Sequence, residues 1–457
     1  MKKFIVPILV ACSLPAFAVA QEGDSATLRK LADEVLTHST AYENLRVLTK
    51  QIGGRLAGSP QMPKAEQWGV KALKAAGADT VYLQECMVPH WVRGAKEEAR
   101  IISKRRDFIP PLNILALGNS VGSGPDGVTA EVLEVASFDE LEAKKDQVKG
   151  KIVFYNHRFI PTNIKTFHSY GEAVMYRGQG ASRAAKYGAV AVIVRSMSHG
   201  ANNFPHTGAM RYDSAYPLIP AVAIGLEDAD RLSLRIKDDT DAKVFLRTNC
   251  EMKKDTIGYN VIGELRGSKY PDQYITVGGH LDSWDVAEGA HDDGAGCVQS
   301  IEVLRSFKAQ GIRPAHTLRV VLFANEENGT RGGTQYAAVA KARNEKHIFA
   351  LESDAGGFTP RGFSTTVPAA MKAKIVSWKP LFEPYGINDF EEPGGGTDVG
   401  QLNAAIGTPM AELYPDSQRY FDIHHAANDV FEAVNKRELE LGAFGMAGLI
   451  YLVDLNF

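Results

Sequence analysis

Cysteine is scarce, four in 457 residues. Cys12, Cys86, Cys250 and Cys297 show no metal-site spacing, which excludes a thiolate zinc site. Charge of one sign is lacking as well: 51 basic side chains stand against 54 acidic ones, a net charge of -3. That balance leaves no phosphate-binding footprint and excludes nucleic acid as the expected partner. Internal repeats and low-complexity segments are absent. Beyond the N-terminus no unbroken run of about 18 apolar residues occurs, so no membrane span is expected. What remains is 44% apolar and 23% charged, the make-up of an ordinary globular protein. At ~100–200 residues per domain, the length implies two or three domains.

Residues 1–20 read as a secretory signal peptide. Lys2 and Lys3 form a positive start, Phe4 to Ala20 is almost wholly apolar, and Ala18-Val19-Ala20 fits a cleavage site. The expected destination is secreted or periplasmic. A minor alternative is a lipid anchor through Cys12, because Leu9-Val10-Ala11-Cys12 looks like a lipobox. Export places Cys86, Cys250 and Cys297 where disulfides persist, and three thiols allow at most one bridge within a chain.

Past Ser25, a plausible helix cap, Leu28, Leu31, Ala32 and Val35 recur at helical spacing. A second helix follows Pro60 and carries Ala65, Trp68, Ala72 and Leu73. The Gly/Ser/Pro-rich stretch 118–127 marks a boundary. Short strands and a helix then run to Cys250, with a long polar loop over 196–216 of the length that functional lids have. From about Tyr259 apolar strands alternate with helices, the pattern of an α/β domain whose central sheet is covered by helices on both faces. Residues 21–126 and 251–457 are therefore expected to form one discontinuous domain, and 127–250 a smaller insert.

The chemistry gathers where the strands of that domain end, the edge at which α/β sheets place ligands. One strand ends in Gly278-Gly279-His280-Leu281-Asp282, followed by His291-Asp292-Asp293-Gly294. The next ends in Asn325-Glu326-Glu327-Asn328-Gly329, a third in Glu352-Ser353-Asp354, and His424-His425 lies near the C-terminus. Taken singly, each reads blandly: a loop histidine, a solvated pair of acids at a helix start, an Asp-Gly turn. Together they converge so many acids on one sheet edge that repulsion would be severe without a bound cation. A mixed carboxylate and imidazole set suits zinc, and two ions need a bridging carboxylate.

The Gly278-to-Ser283, Asp292-Asp293-Gly294, Asn325-to-Gly329 and His425-to-Asp429 segments resemble the di-zinc exopeptidase family of bacterial aminopeptidases and glutamate carboxypeptidases. Glu352-to-Gly356 and Trp284 look like its glutamate carboxypeptidase branch. Val148-to-Val153 and Ile219-to-Val222 resemble a protease-associated domain, which identifies the insert. The resemblance implies a zinc exopeptidase-like fold and two zinc ions per chain. It implies that His280 and Asp354 hold one zinc, Glu327 and His425 the other, and that Asp292 bridges both. It implies Glu326 as general base and Asp282 as the acid that orients His280. His425 is preferred to His424 because Asp429 stands four residues on. His424 is then expected to pack, and His291, which departs from the pattern, to sit at the rim.

The expected activity is hydrolysis of dipeptides or short peptides, as a carboxypeptidase or dipeptidase, with an aminopeptidase as the alternative. A peptide is the expected partner, and a homodimer is implied by resemblance alone. Two further alternatives are a single-zinc relative resembling glutaminyl cyclase and a non-catalytic receptor-like ectodomain. The complete set of acids and imidazoles argues against both.

Overall fold

The computed structural model describes residues 15–104 and 108–457. Residues 1–14 of the expected leader, with Cys12, lie outside them.

Two seven-stranded sheets carry the chain. In the first, the order is Thr80–Val92, Glu251–Leu265, His316–Phe323, Tyr270–His280, Lys346–Glu352, Met410–Pro415 and Pro360–Thr366. The middle four strands are parallel and the outer ones antiparallel, so the sheet is mixed. His316–Phe323 is buried at every position, which is why its sequence shows no polar alternation. Its residues still divide by face. Leu318, Val320 and Leu322 join a core with helices Ala295–Ala309 and Lys436–Asn456, whereas Val321 and Phe323 meet helices Arg331–Ala342 and Thr397–Ile406. Helix Lys436–Asn456 starts on Asn435, whose side chain accepts from the Arg437 and Glu438 amides, a cap of the kind that contributes ~1 kcal/mol.

From Tyr270–His280 the chain passes to a strand on one side and then to one on the other. The strand order therefore reverses at Tyr270–His280, and its carboxyl end opens the crevice in which such sheets bind ligands.

The second sheet runs Glu98–Ile102, Lys243–Arg247, Val128–Val135, Ile152–Tyr155, Ala191–Arg195, Ala221–Ile224 and Ile114–Ala116. Alternate residues face opposite helices, as a two-residue period requires. Val153 and Tyr155 pack with helix Thr166–Ala185, and Ile152 and Phe154 with helix Leu226–Asp238. Strands Glu98–Ile102 and Ile114–Ala116 belong to this sheet although they precede residue 127, where the insert was expected to begin.

One local expectation gives way. Ser25 lies inside helix Pro15–His38 instead of capping it. The long antiparallel pair of Thr80–Val92 and Glu251–Leu265 leaves no clear trace in the sequence. Each strand is solvated over its first residues, Thr80 to Glu85 in one and Glu251 to Asp255 in the other, so no apolar alternation develops. Cys86, Cys250 and Cys297 are all buried free thiols. No described helix is long and apolar enough to cross a membrane.

Glu66, buried on helix Met62–Ala75, accepts from the Tyr259 amide at 3.0 Å. Burial pushes its carboxyl up to about 7, against the pull of that amide. A folded-state pKa raised above the unfolded value gives stability that is present below the unfolded pKa and lost as pH rises through about 7. Glu66→Gln cannot ionise, so its unfolding free energy relative to the parent should climb from about pH 5 to 7, with a limiting slope of ~1.4 kcal/mol per pH unit, and level off above. A difference that stays flat across this range would refute the assignment.

Candidate metal centre

The centre is assembled at the reversal point of the first sheet. His280 is the last residue of strand Tyr270–His280, Glu326 and Glu327 follow His316–Phe323, and Asp354 follows Lys346–Glu352. Asp292 comes from the turn Ala290–Gly294 ahead of helix Ala295–Ala309. This helix can start so close to the strand ends because of two glycines. A Cβ on Gly279 would meet Asp293 Oδ2 at 2.3 Å, and one on Gly296 would meet the Ser353 carbonyl at 1.9 Å.

Five of the expected residues come together in two sets that share Asp292. His280 Nε2 lies 3.1 Å from Asp354 Oδ1 and 3.2 Å from Asp292 Oδ1. His425 Nε2 lies 3.1 Å from Glu327 Oε2 and 3.2 Å from Asp292 Oδ2. Tetrahedral ligands at 2.0–2.1 Å from a zinc-sized ion stand roughly 3.3 Å from one another, so these separations are those of ligand atoms around a shared ion. Asp292 Oδ2 and Glu327 Oε1 are buried and lack a hydrogen-bond partner among the described residues. The donor set therefore fits a metal.

Electrostatics points the same way. Burial opposes charge on His280, yet the carboxylates of Asp354, Asp282 and Asp292 hold it well above its ordinary pKa. Burial likewise opposes charge on His425, but Glu327 and Asp292 lift it to about 10. Burial pushes Glu326 well above the usual carboxylate range, against His280, with Asp354 and Glu327 adding to the rise. The centre is short of positive charge.

Most of these residues are held by a neighbour. The Asp282 carboxylate accepts from the Glu326 amide at 2.9 Å and the Glu327 amide at 3.4 Å. His280 Nδ1 lies 3.0 Å from the Asp282 carbonyl and 3.6 Å from its carboxylate. Asp282 thus positions both the imidazole and the Glu326-Glu327 pair, the imidazole mainly through its backbone. Asp429 accepts from the His291 and Asp292 amides at 2.7 and 3.2 Å. Asp293 accepts from the His280 and Gly296 amides at 3.0 and 2.8 Å, tying strand end to helix start. Asp293 received no role from the sequence because Asp-Gly there reads as a turn.

Arg55, fully buried, donates to the carbonyls of Leu281, Glu288 and Gly289 and so pins the loop between His280 and Asp292. His425 holds a left-handed backbone at φ 60, a conformation a histidine keeps only under constraint. The constraint is Thr207 of the long loop. Its amide donates to the His425 carbonyl at 3.0 Å, and its carbonyl lies 3.3 Å from His425 Nδ1. That contact leaves Nε2 of His425 free to face the carboxylates.

The remaining histidines fall outside the two sets. His424 stacks on His425 at 3.6 Å, with its Nε2 3.8 Å from Asp292. His291 stacks on Phe358 and accepts from the Gly357 amide through Nδ1, and burial brings its pKa down to about 4. The centre opens into a cavity of about 720 Å³ whose walls come from both sheets' domains.

The family model described as Peptidase family M28 matches residues 260–449, and that of the PA domain matches residues 121–232. Carboxypeptidase Q of Homo sapiens is 37% identical over 436 residues, covering 95% of this chain and 90% of the human one. The Mus musculus carboxypeptidase Q is 37% identical over 413 residues, or 90% and 85% of the two chains. Among solved structures, the peptidase M28 precursor from Shewanella amazonensis SB2B superposes with a TM-score of 0.89 at 33% identity, over 95% of this chain and 97% of that one. A zinc aminopeptidase from Bacillus subtilis shares the fold, with a TM-score of 0.62 at 19% identity over 90% and 94% of the chains.

A divalent transition metal added to chelator-stripped protein should raise its unfolding midpoint. At a free concentration about a hundred times its dissociation constant, the stabilisation should be about 2.7 kcal/mol. Asp292→Asn should lose most of that increment. A midpoint indifferent to metal would remove the centre.

Proposed function

The chain belongs to peptidase family M28, and from that premise we propose that it is an exported di-zinc exopeptidase that cleaves dipeptides or the C-terminal residue of short peptides. The observation that carries this reading is the sharing of Asp292 between two imidazole–carboxylate sets at the floor of one cavity. His280 and Asp354 would hold one zinc and His425 and Glu327 the other, with Asp292 bridging.

Zinc bound there supplies Lewis acidity that activates a water and stabilises charge developing on the peptide carbonyl oxygen. Glu326 lines the same cavity beside Glu327, with its amide held by Asp282. It takes the proton from the attacking water and delivers it to the leaving nitrogen. Asp282 keeps His280 and the Glu326-Glu327 segment in register. Carboxypeptidase action is favoured over aminopeptidase action by the relatives that share more than a third of their residues with this chain. The leader composition supports export. The PA-like unit of the second sheet is taken as residues 98–247, bounded by strands Glu98–Ile102 and Lys243–Arg247.

Dipeptides free or blocked at either end, assayed with and without chelator, test the reading together with metal content. About two zinc ions per chain and chelator-sensitive hydrolysis are expected, and zinc-loaded protein that cleaves none of the panel would sink it. Glu326→Gln should lower turnover ~10²–10⁴-fold while zinc stays bound. Turnover near that of the parent would strip Glu326 of its role.

A further inference from the structure

The cavity above the metal centre has a side pocket. A smaller cavity of about 220 Å³ adjoins it, and the two share Phe167, Gly395 and Glu412 in their walls. Insert and peptidase body both line it, the insert with Lys165 and His168, the body with Glu392, Glu412 and Tyr414. Gly394 and Gly395 let the rim pass close over the sheet, since a Cβ on the first would meet Ser364 Oγ at 2.8 Å and one on the second the Met410 sulfur at 2.8 Å. Pockets that enclose a whole small molecule start at roughly 300 Å³, so this one is of a size to take a single long side chain.

Its charges do not balance. Lys165 is committed to an ion pair with Glu392, its Nζ also standing 5.8 Å from the centre of the Tyr414 ring. His168 is exposed at the rim. Glu412, half-buried in the wall common to both cavities, has no ion pair and no side-chain hydrogen bond among the described residues. It belongs to neither of the two groups at the metal centre whose ligand atoms lie within 4.8 Å of one another. Burial, and then the carboxylates of Asp354 and Glu352, push its carboxyl well above the ordinary range. A cation in the pocket would reverse that push. Acids left in this state gather at binding sites, because elsewhere nothing offsets their desolvation.

The sheet determines which part of a substrate reaches this pocket. Glu412 pairs in register with Glu352, two residues before Asp354. It therefore lies one strand spacing, about 4.8 Å, beyond the strand that delivers Asp354, on the side away from Glu327 and His425. The cations of the main cavity stand at the other end. They are Arg177 and Arg211 of the insert, neither paired with a carboxylate among the described residues, with Arg177 Nη1 3.4 Å from His425 Nδ1. A terminal carboxylate is drawn toward the arginines, which leaves the residue on the amino side of the scissile bond at the Asp354 end. Resting on the peptidase reading above, we propose that the side pocket receives the side chain of that amino-side residue and that Glu412 selects a long cationic one, lysine or arginine. The rings of Phe167 and Tyr414 suit the apolar stem of such a side chain, and the carboxylate suits its charged end.

The test compares lysyl-alanine, uncharged norleucyl-alanine and glutamyl-alanine, with alanyl-lysine as the control for position. Zinc-loaded parent, Glu412→Gln and Glu412→Lys are assayed. The parent should favour lysyl-alanine over norleucyl-alanine in kcat/KM by about 10–100-fold, the range of charge-assisted hydrogen bonds. Glu412→Gln should bring that ratio to about one, chiefly through a higher KM for the lysyl peptide, and Glu412→Lys should shift the preference to glutamyl-alanine. Titration calorimetry with reduced-amide isosteres of the lysyl and norleucyl peptides should show the same loss of discrimination without turnover. Equal use of these two peptides by the parent overturns the proposal without any variant. So does a ratio that survives in Glu412→Gln, or a preference for lysine that shows only in alanyl-lysine. Failure of the parent to cleave any of the four would instead remove the peptidase reading, and the isostere titration would still decide whether Glu412 takes the cation.

Discussion

A buried carboxylate held between two imidazoles sets the terms for the rest of the molecule. Burial alone would drive the Asp292 carboxyl to its neutral form, but His280 and His425 pull it well below its ordinary pKa. Charges in so poor a solvent keep their places only if every neighbouring polar group is fixed. The fixing groups are visible one layer out. Asp429 grips the Asp292 amide, Asp293 joins the His280 strand to the following helix, and Arg55 pins the intervening loop. These contacts are mostly side chain to backbone, so they hold the position of the chain itself.

The two sheets divide the labour. The first collects acids at the carboxyl ends of parallel strands, where helix starts and loop amides can carry them. The second sheet's unit supplies what the first lacks, Arg177 and Arg211, on a wall that meets the floor across the cavity. The long loop does not form a detached lid, since its Thr207 clamps the backbone and ring of His425. Metal centre and insert are therefore mechanically joined: displacing the loop would release an imidazole that faces the acids.

Much of this was legible along the chain. Strands such as Ala221–Ile224 and Met410–Pro415 announce themselves as short apolar runs between turn residues, and His280, Glu326, Glu327 and Asp354 follow directly on such runs. Less legible were Thr80–Val92 and Glu251–Leu265, whose solvated halves mix charged and apolar residues without a period. Pro360–Thr366 shows no apolar run either: this short edge strand opens Pro-Arg-Gly and closes Ser-Thr-Thr.

Asp293, Arg55, Thr207 and Arg177 illustrate a deeper limit. Arg55, Thr207 and Arg177 act on groups remote in sequence, Asp293 on amides 13 and 3 residues away, and three of the four act on or through backbone atoms that carry no residue signature. Residue type and strand-end position, which are local properties, were enough to mark the acids and imidazoles and the alternating α/β texture. Which carboxylate is shared, which nitrogen of His425 faces it, and which arginine stands unpaired beside it were decided only by the folded structure. Those outcomes depend on distances and burial, and both arise only when segments hundreds of residues apart are packed together.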